Sequence, residues 1–596
     1  MEPNIEEIKD KKLRSFKSKV LSGIVLVFSL ILISRLFYLQ IFKYKTLTQR
    51  AQYSTSKISI LSAPRGIIYD RNGKILATNK QSISVVVYPN KLRTRQERIQ
   101  VYNHLKNILK TNEHKLRETF SKLPQDAPLP IRLQSNISVE EAIQIVERQA
   151  ILKGINIQEE PIRYYPSRTL ASHALGYISQ INERELNQRP DRKLGDLVGK
   201  YGIEKLYDDI LRGKDGKEIV EVDRFGKPIY PDYKHGVIHI DPIPGKSIQL
   251  TLDIELQKSV EEALKSSGAN SAALAVNPDT GEVLALASYP DFDPNIFTKP
   301  LSFTTWKSLL SKKAFLNRGI LAYTPGSIWK PITLITALDS MAVSPHEKFN
   351  VSGAYYLGTT KFGDWTDKKA TLSLEESLAW SRDTAFYQIG RRLTPTQIKS
   401  WGIKLGAGKK SGIELLDEET GIVPDENWKK KKTGEPWYPG NTLHYAIGQG
   451  FLLLTPTQAA RIYSALANGS FIPKLQLVKQ IHTYQKPQQA PDKFIIDPNI
   501  LRVIKNGLEL CVEKGTGQTA KLENIKIAGK TGSAEVFGSG RTHSWFSAYA
   551  PADKPEIVVV VLAEKAGHGG TVAAPIAKKI FEGYFKLSNS KVLAER

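Results

Sequence analysis

Cysteine is nearly absent from this chain: Cys511 is the only one among 596 residues. A single thiol excludes an intramolecular disulfide and every cysteine-rich zinc site, and it leaves the redox compartment undetermined. We expect Cys511 to be a small buried hydrophobic residue rather than a reactive group.

Acidic residues are outnumbered, and nucleic-acid-binding motifs are missing. Lys and Arg total 84 against 60 Asp and Glu, which gives a formal net charge of +24. This excess fits either an anionic partner, such as lipid headgroups or an acidic polymer, or a solvated lysine-rich surface. Zinc-finger spacing, an RRM signature and a basic zipper do not occur, so we do not expect nucleic acid as a partner.

Residues 20–42 form a long apolar run near the N-terminus. Its first part, "VLSGIVLVFSLILI", is unbroken, and the rest is interrupted by Arg35 and Gln40. About 20 apolar residues cross a bilayer. A small-residue cleavage site does not follow, so the pattern predicts an uncleaved signal-anchor. Arg35 lies near one end of the run, where it either snorkels to the interface or pairs with another membrane protein.

The basic residues around this run predict its orientation. Six lie within residues 9–19 before the run, and four lie within residues 43–57 after it. The positive-inside rule therefore favours a cytoplasmic N-terminus and an external C-terminal part. We expect a cytoplasmic tail over residues 1–19 and a single transmembrane anchor over residues 20–42.

The length of the chain predicts at least two domains outside the membrane. Residues 43–245 mix short strands and helices without clustered catalytic residues, so we expect a non-catalytic stalk. "PRGIIYDRNGKILATN" (64–79) predicts a hairpin around Asn72-Gly73, and "SISVVVYP" after it predicts another strand. The Pro- and Gly-containing "DPIPGKSIQLTLD" (241–253) marks the boundary to a second domain over residues 246–596.

The second domain alternates predicted strands and helices and then closes with hairpin strands and a terminal helix. Two strands surround the turn at Asn277–Gly281, and long helical stretches follow near 327–342 and 372–392. This order predicts an antiparallel sheet faced by helices. The lysine run at Lys429–Lys432 is interpreted as a solvated loop.

The spacing Ser-x-x-Lys, which can join a nucleophile to its base, occurs three times. Only Ser327 follows a Pro-Gly break and precedes an apolar helical pattern, which places it at a helix N-terminus. Backbone N–H groups favour a developing oxyanion there, and Lys330 lies on the same helix face. Lysine acts as a base only when it is neutral. The other two pairs, which lack this context, are Ser54/Lys57 and Ser588/Lys591.

Two later segments supply groups that an acyl-transfer site needs. In "AGKTGSAE", Lys530 follows the edge-strand pattern "NIKIA", and a lysine with a neighbouring hydroxyl and glycine suits a peptide carboxylate. A second Lys-Thr-Gly at Lys432–Gly434 lacks a strand pattern and is set aside. In "LAWSRDTAFYQIG", Ser381 lies between two helical stretches, as either a helix cap or a catalytic group.

The order Ser-x-x-Lys, Ser-x-Asp, Lys-Thr-Gly resembles that of the penicillin-binding proteins. The resemblance is to class B enzymes, monofunctional peptidoglycan D,D-transpeptidases, and it runs over nearly the whole chain. The segment Ser381–Asp383 departs from the commoner Ser-x-Asn, and the Asp form looks like the elongation subgroup, penicillin-binding protein 2. The segments that carry the resemblance are "RLFYLQ", "PRGIIYDRNG", "GKYGIEKLYDDILRGKDG", "NRGILAYTPGSIWK", "IGQGFLLLTPTQAA" and "GKTGSAE".

This resemblance implies an α/β transpeptidase domain, built as an antiparallel sheet sandwiched by helices plus an all-helical lobe. An elongated α+β stalk of the dimerisation type and one N-terminal transmembrane helix complete the expected architecture. It also implies a bacterial inner-membrane protein, with the catalytic domain in the periplasm, that takes part in cell-wall biogenesis and cell shape.

The implied chemistry is a serine acyl-enzyme. Ser327 would attack the penultimate D-Ala of a stem pentapeptide, Lys330 would take the proton, and Ser381 would relay a proton to the leaving amine. An amine from a neighbouring stem would then form the cross-link, and β-lactams would acylate Ser327 instead.

Five further residues would bind the substrate. Lys530 and Thr531 would hold the terminal carboxylate, Gly532 would let the substrate backbone approach, and the Ser533 N–H would complete the oxyanion hole. Asp383 raises a difficulty, because an ionised carboxylate near the catalytic lysine favours its charged form and opposes its role as a base.

We expect no cofactor. Some relatives bind zinc between the first two motifs, but here that interval offers His346, Asp364 and Asp367 without cysteine, so we predict no metal. The resemblance implies a separate RodA-type membrane glycosyltransferase and other elongation-complex membrane proteins as partners. Arg35 and the hairpin at 64–79 are the candidate contacts.

Alternative functions remain open at this point. Within the class, the alternative is a division-type transpeptidase. Ser-x-Asn would favour that alternative, but this chain has Ser-x-Asp at the position. A β-lactamase or carboxypeptidase does not need the anchor and stalk, and a bifunctional enzyme needs a glycosyltransferase domain that residues 43–245 do not resemble. A β-lactam sensor or scaffold would bind drug without cross-linking.

Overall fold

The computed structural model describes residues 5–44, 56–92, 94–109, 113–124, 129–221, 237–298 and 301–594. Helix α1 (Ile5–Phe37) continues into a π-helical turn, Tyr38–Phe42. Within it, Phe16–Phe42 has a mean hydropathy of 2.4 and none of it is buried by the rest of the protein. The predicted apolar helix is therefore confirmed, and it is long enough to cross a bilayer.

The stalk is built from short strands and helices. Its strands are β1 (Ser56–Leu61), β2 (Ile68–Tyr69), β3 (Ile75–Val87), β4 (Ile131–Ile137), β5 (Ile155–Tyr164), β6 (Ile178–Gln180), β7 (Leu197–Gly199), β8 (Gly216–Glu221) and β9 (Val237–Ile240). Its helices are α2 (Arg95–Ile108), α3 (Glu113–Ser121), α4 (Val139–Glu147), α5 (Ser172–Leu175), α6 (Glu183–Gln188), α7 (Gly202–Leu206) and α8 (Asp208–Leu211).

The predicted hairpin at 64–79 is confirmed, because β2 pairs with β3 around a turn in which Gly73 has φ +82°. The prediction of a separate strand at "SISVVVYP" is wrong, since those residues continue β3 without a break. Arg65, just before β2, and Arg163 on β5 both bind the fully buried Glu204 at 2.6 Å. Two of the segments that carry the family resemblance thus meet in one buried ion cluster.

The second domain contributes the remaining elements. Its strands are β10 (Ile248–Leu250), β11 (Ser271–Val276), β12 (Val283–Tyr289), β13 (Phe349–Val351), β14 (Ala354–Leu357), β15 (Thr360–Gly363), β16 (Ala370–Leu372), β17 (Phe471–Ile472), β18 (Val478–Ile481), β19 (Tyr484–Gln485), β20 (Asp492–Lys493), β21 (Ala528–Val536), β22 (Arg541–Ala550) and β23 (Ile557–Ala563). Its helices are α9 (Ile254–Ser267), α10 (Phe303–Ser311), α11 (Lys330–Asp339), α12 (Leu374–Ala379), α13 (Asp383–Gly390), α14 (Pro395–Lys404), α15 (Glu426–Thr433), α16 (Pro439–Ala446), α17 (Pro456–Asn468), α18 (Pro498–Glu513) and α19 (Ala573–Ala594).

The core of this domain is a five-stranded antiparallel sheet in the order β12-β11-β23-β22-β21. Helices α9 and α19 pack on one face, and α17 packs on the other, so the predicted sandwich is confirmed. The helical lobe of this domain carries two small two-stranded ribbons, β13 with β16 and β14 with β15. The prediction of an all-helical lobe is therefore wrong.

Stalk and C-terminal domain share one sheet. Strand β10 pairs in parallel with β2 of the stalk and antiparallel with β18, which joins both domains in the order β19-β18-β10-β2-β3-β4, with β5 added on β3. The hairpin tip also docks on the C-terminal domain, where Asn72 donates to Asp253 and Lys74 pairs with Glu255 at 2.6 Å. The hairpin therefore uses these side chains within the chain itself.

The lysine run belongs to helix α15, so the interpretation as a solvated loop is wrong. Lys429 is buried and donates to the Pro436 carbonyl at 2.8 Å and to Asn441 Oδ1 at 3.0 Å. Its neighbours Lys430–Lys432 are exposed. One member of the run packs inward, and only the other three form a solvated face.

Candidate active site

Ser327 lies in a single 3-10 turn, Gly326–Trp329, which runs directly into α11. Gly326 has φ +58°, and a Cβ at this position would lie 2.9 Å from the Ser533 carbonyl oxygen. Glycine is therefore required both by the backbone conformation and by the close approach of β21. The sequence prediction of Ser327 at a helix start is confirmed.

Lys330 is fully buried, and its ammonium group has three hydrogen-bond acceptors. It donates to the Ser381 carbonyl at 2.8 Å, to Ser381 Oγ at 3.3 Å and to Asp383 Oδ1 at 2.7 Å. Three acceptors match the three protons of a charged lysine. Among the hydrogen bonds of the described residues, none joins this group to Ser327. In the resting site Lys330 is therefore paired with Asp383 rather than with the nucleophile.

Ser381 sits at the junction of α12 and α13 with φ +55°, a left-handed conformation that a serine seldom adopts. Its hydroxyl contacts Lys330 rather than a free helix N–H, and the cap of the preceding helix is Ser373. The sequence left helix cap and catalytic group open for Ser381, and this contact favours the second. Strain of this kind persists only where neighbouring groups hold the backbone in place.

Arg382 supplies that support, and the sequence analysis missed it. Its buried guanidinium donates to the carbonyl oxygens of Ser352 and Lys368 at 3.0 and 2.9 Å. It also pairs with Asp364 at 3.2 Å, and Asp364 accepts from the Thr384 N–H at 2.9 Å. A charged residue between Ser381 and Asp383 at a helix junction was the available signal.

The sequence analysis predicts no metal between the first two motifs, where some relatives bind zinc. Over the part of the chain that the structure describes, no group of three or more His, Cys, Asp or Glu side chains is placed to hold a metal ion. Asp364, one of the three candidates, is engaged with Arg382 and Thr384 instead.

Strand β21 carries the Lys-Thr-Gly motif along the edge of the five-stranded sheet, as predicted. Lys530 is fully buried and donates to the Thr531 carbonyl at 3.0 Å. Burial, aided by the charge of Lys330, lowers the pKa of Lys530 to about 7. Near neutral pH both the charged and the neutral form of this lysine are therefore populated.

The strand lies directly against the nucleophile turn. A Cβ at Gly532 would lie 2.8 Å from the Pro325 carbonyl oxygen, and Trp545 on the neighbouring strand donates to the Thr324 carbonyl at 3.0 Å. The Gly569 N–H donates to Ser533 Oγ at 3.2 Å, which places the Gly-rich turn of residues 566–575 beside the site, as expected. These contacts fix β21 alongside Ser327.

The structure thus brings the predicted residues together from three separated segments: Ser327 with Lys330, Ser381 with Asp383, and Lys530 through Ser533. The alternative Ser588/Lys591 pair lies in the terminal helix α19, and Ser54 lies outside the described residues. The second Lys-Thr-Gly, Lys432–Gly434, forms the end of α15 rather than a strand.

Comparison with known proteins agrees with this geometry. The family model "Penicillin binding protein transpeptidase domain" matches residues 271–582, and "Penicillin-binding Protein dimerisation domain" matches residues 60–250. The peptidoglycan D,D-transpeptidase MrdA of Haemophilus influenzae is 30% identical over 98% of this chain and 94% of its own length. The Escherichia coli K12 enzyme of the same name is 29% identical over 94% and 93%.

Solved structures show the same architecture. The complex of penicillin-binding protein 2 with MreC from Helicobacter pylori has a TM-score of 0.75 at 26% identity, covering 88% of this chain and 99% of that one. A peptidoglycan synthase complex that coordinates polymerization and crosslinking has a TM-score of 0.69 at 29% identity, covering 95% and 98%. The chain therefore belongs to the penicillin-binding proteins of the elongation type, serine-type peptidoglycan D,D-transpeptidases with a dimerisation domain before the transpeptidase domain.

Proposed function

We propose that this chain cross-links peptidoglycan stem peptides through an acyl-enzyme on Ser327. The observation that carries the proposal is the cluster in which Lys330 contacts Ser381 one helical turn from Ser327, with β21 packed alongside. Nucleophile, base and carboxylate-binding groups are the parts that acyl transfer requires.

The reaction begins when Ser327 Oγ attacks the carbonyl carbon of the penultimate D-Ala and passes its proton to the neutral amine of Lys330. The backbone N–H groups of Ser327 and Ser533 stabilise the oxyanion, and removal of one such donor raises a barrier by about 2.7–4 kcal/mol. Collapse of the tetrahedral intermediate breaks the peptide bond, and the leaving D-Ala amine takes a proton through Ser381. An amine of a neighbouring stem then attacks the ester, which releases Ser327 and forms the cross-link.

Lys330 must first lose a proton and one of its three acceptors. Asp383 is the acceptor that is free to turn away, because its side chain is 20% exposed whereas Lys330 is fully buried. A bound substrate that engages Asp383 through an amide N–H removes the carboxylate from the lysine and favours the neutral amine. The base is then formed only in the loaded site.

Lys530 and Thr531 hold the terminal carboxylate of the substrate, while Gly532 keeps the strand free of side-chain bulk. Since the pKa of Lys530 is about 7, a fraction of the resting enzyme carries it uncharged at neutral pH. A carboxylate beside this amine favours its charged form, so binding takes up a proton.

Labelling with a fluorescent penicillin, followed by mapping of the adduct, tests the nucleophile. The adduct is expected on Ser327, and Ser327→Ala is expected to abolish labelling. Ser588→Ala, in another Ser-x-x-Lys pair of the chain, is the matched control and is expected to label normally. Labelling that survives Ser327→Ala, or an adduct elsewhere, would falsify the assignment.

A cross-linking assay separates the transpeptidase from a sensor. The detergent-solubilised full chain is supplied with glycan strands that carry pentapeptide stems, and the products are digested to muropeptides. Dimeric muropeptides that require Ser327 are expected. A chain that binds penicillin at Ser327 yet forms no dimers would act as a sensor or scaffold instead.

We further propose that α1 anchors the protein in the bacterial inner membrane, with residues 43–245 as stalk and residues 246–596 as periplasmic catalytic domain. A RodA-type membrane glycosyltransferase is the proposed partner, and the solved relatives with MreC and in a synthase complex support an elongation assembly. Arg35 is the candidate contact within the span, because the hairpin tip is engaged with Asp253 and Glu255. Arg35→Glu is expected to reduce stimulation of the polymerase, with Lys19→Glu at the other end of the helix as control; unchanged stimulation would remove Arg35 from the interface.

A further inference from the structure

Thr516 connects the two walls of the proposed active site, although it belongs to none of the three motifs. It follows α18, and its hydroxyl lies 2.6 Å from that of Thr531 on β21. Its backbone N–H donates to the Ala379 carbonyl at 3.2 Å, two residues before Ser381. Thr516 therefore touches both the carboxylate-binding strand and the segment that holds the catalytic serine junction.

The direction of the Thr516–Thr531 hydrogen bond follows from counting protons. Each hydroxyl has one proton to give. If Thr531 donates to Thr516, it has none left for a substrate carboxylate. If Thr516 donates to Thr531, the Thr531 proton is free to point into the cleft. The Thr516 hydroxyl can also donate to the Ala379 carbonyl, but at 3.4 Å that contact is much longer than the 2.6 Å contact with Thr531, so the geometry favours donation to Thr531.

Cys511 adds a second hydrogen bond behind the Thr516–Thr531 pair and extends the series into the core. Its sulfur lies 3.5 Å from the Thr516 hydroxyl, and the side chain is completely buried. A thiol is a weak donor, and Thr516 still has an acceptor lone pair when it donates to Thr531. Hydrogen bonds that point the same way polarise one another, so each bond in the series strengthens the bond that follows it.

We propose that Cys511, Thr516 and Thr531 form a one-way hydrogen-bond chain that aims the Thr531 proton at the carboxylate of the donor peptide or of a β-lactam. Thr516 is then a positioning residue that acts through Thr531 and also ties the Lys-Thr-Gly strand to the Ser381 segment. This inference rests on the proposed function, since it concerns the same carboxylate.

The test compares two probes on the full chain in detergent: benzylpenicillin, which carries the carboxylate, and its methyl ester, which does not. The second-order rate constant of acylation at Ser327 is measured for Thr516→Val, which keeps the shape but removes the hydroxyl. We expect a loss of about tenfold with the acid, the size of one hydrogen bond, and little change with the ester. Thr516→Ser is expected to restore the rate.

The control is Thr396→Val. The exposed hydroxyl of Thr396 bonds to Glu426, and neither residue belongs to the proposed active site. An equal loss with acid and ester would show that Thr516 is merely structural, and an unchanged rate with the acid would remove it from carboxylate binding. Either result leaves the wild-type adduct on Ser327 intact. Failure of wild-type acylation at Ser327 would instead overturn the proposed function.

The contribution of Cys511 is measured separately. Cys511→Ser keeps a donor and is expected to retain the wild-type rate with benzylpenicillin. Cys511→Ala removes the donor and is expected to lower the rate with the acid by a smaller factor than Thr516→Val does. An alanine variant that matches wild type with both probes would end the chain at Thr516.

Discussion

Replacement of Lys530 by methionine separates the stability of the catalytic domain from its function. Lys530 is fully buried on β21, and its pKa in the folded protein is about 7 against an ordinary value of 10.5. Holding the charged form in this site costs about 5 kcal/mol below pH 7 relative to the unfolded chain. Methionine has a similar length and no charge, and it forfeits one hydrogen bond to the Thr531 carbonyl, worth about 1 kcal/mol. The expected net gain near pH 6.5 is therefore about 3–4 kcal/mol.

The pH dependence has a defined sign. Because the folded-state pKa of Lys530 lies below the unfolded one, the unfolded chain binds more protons between pH 7 and pH 10.5, and wild-type stability rises with pH in that window. Between pH 6.5 and pH 9.5 the advantage of Lys530→Met is expected to shrink by about 3 kcal/mol. Above pH 10.5 it disappears.

Thermal unfolding of the purified full chain in detergent measures this effect. With an unfolding entropy of about 2.1 cal/mol/K per residue, the catalytic domain gains about 5 °C at pH 6.5. Lys521→Met, at an exposed lysine before β21, is the control and should leave the melting temperature unchanged. Penicillin labelling of Lys530→Met is expected to fall sharply, because the carboxylate loses its cation. The reasoning would be refuted if Lys530→Met melted no higher than wild type at pH 6.5, or if its melting temperature depended on pH in the same way as that of wild type.

Three further outcomes are expected. Asp383→Asn keeps a hydrogen-bond acceptor for Lys330 but removes the opposite charge at 2.7 Å, so the rate constant of penicillin acylation at neutral pH should change; an unchanged rate constant would mean that the pair does not control the base. Gly326→Ala places a Cβ 2.9 Å from a backbone carbonyl at φ +58°, and acylation should slow at least tenfold while the fold is retained, as checked by stopped-flow labelling and circular dichroism. Arg163→Met leaves Glu204 partly unpaired in the stalk core and should lower the free energy of unfolding by about 3–5 kcal/mol, measured by urea titration; a loss below 1 kcal/mol would contradict the assigned burial.

The sequence could predict those parts of the site that depend on local pattern. The Pro-Gly break indicated the start of the nucleophile helix. Lys530 lies on an edge strand as predicted, although β21 begins at Ala528, so most of "NIKIA" precedes the strand. Each of these depends on residues a few positions away. Ser381 was ambiguous because a cap and a catalytic hydroxyl look alike until the contact with Lys330, 51 residues distant, is known.

Contacts made across the fold were out of reach for sequence reasoning. The Arg382 anchor to Ser352 and the Thr516–Thr531 bond each join segments whose approach is set by packing. Lys429 shows the same limit. In the sequence it looks like the other three lysines of its run, and only the folded structure shows that its side chain is buried among aromatic rings. The continuous strand β3 was divided in two because polar residues in its middle resemble a turn.

The sheet that passes through β18, β10 and β2 contains strands of both domains, so the catalytic domain cannot be excised at residue 246 without breaking that sheet. A truncation that begins at residue 246 would strip β2 from β10 and expose an unpaired edge beside Ile248 and Leu250, both fully buried in the whole chain. Such an edge recruits other chains, so the excised domain should aggregate, whereas one that retains residues 64–79 keeps its edge covered. The practical unit for expression and drug screening is therefore the catalytic domain together with its stalk hairpin.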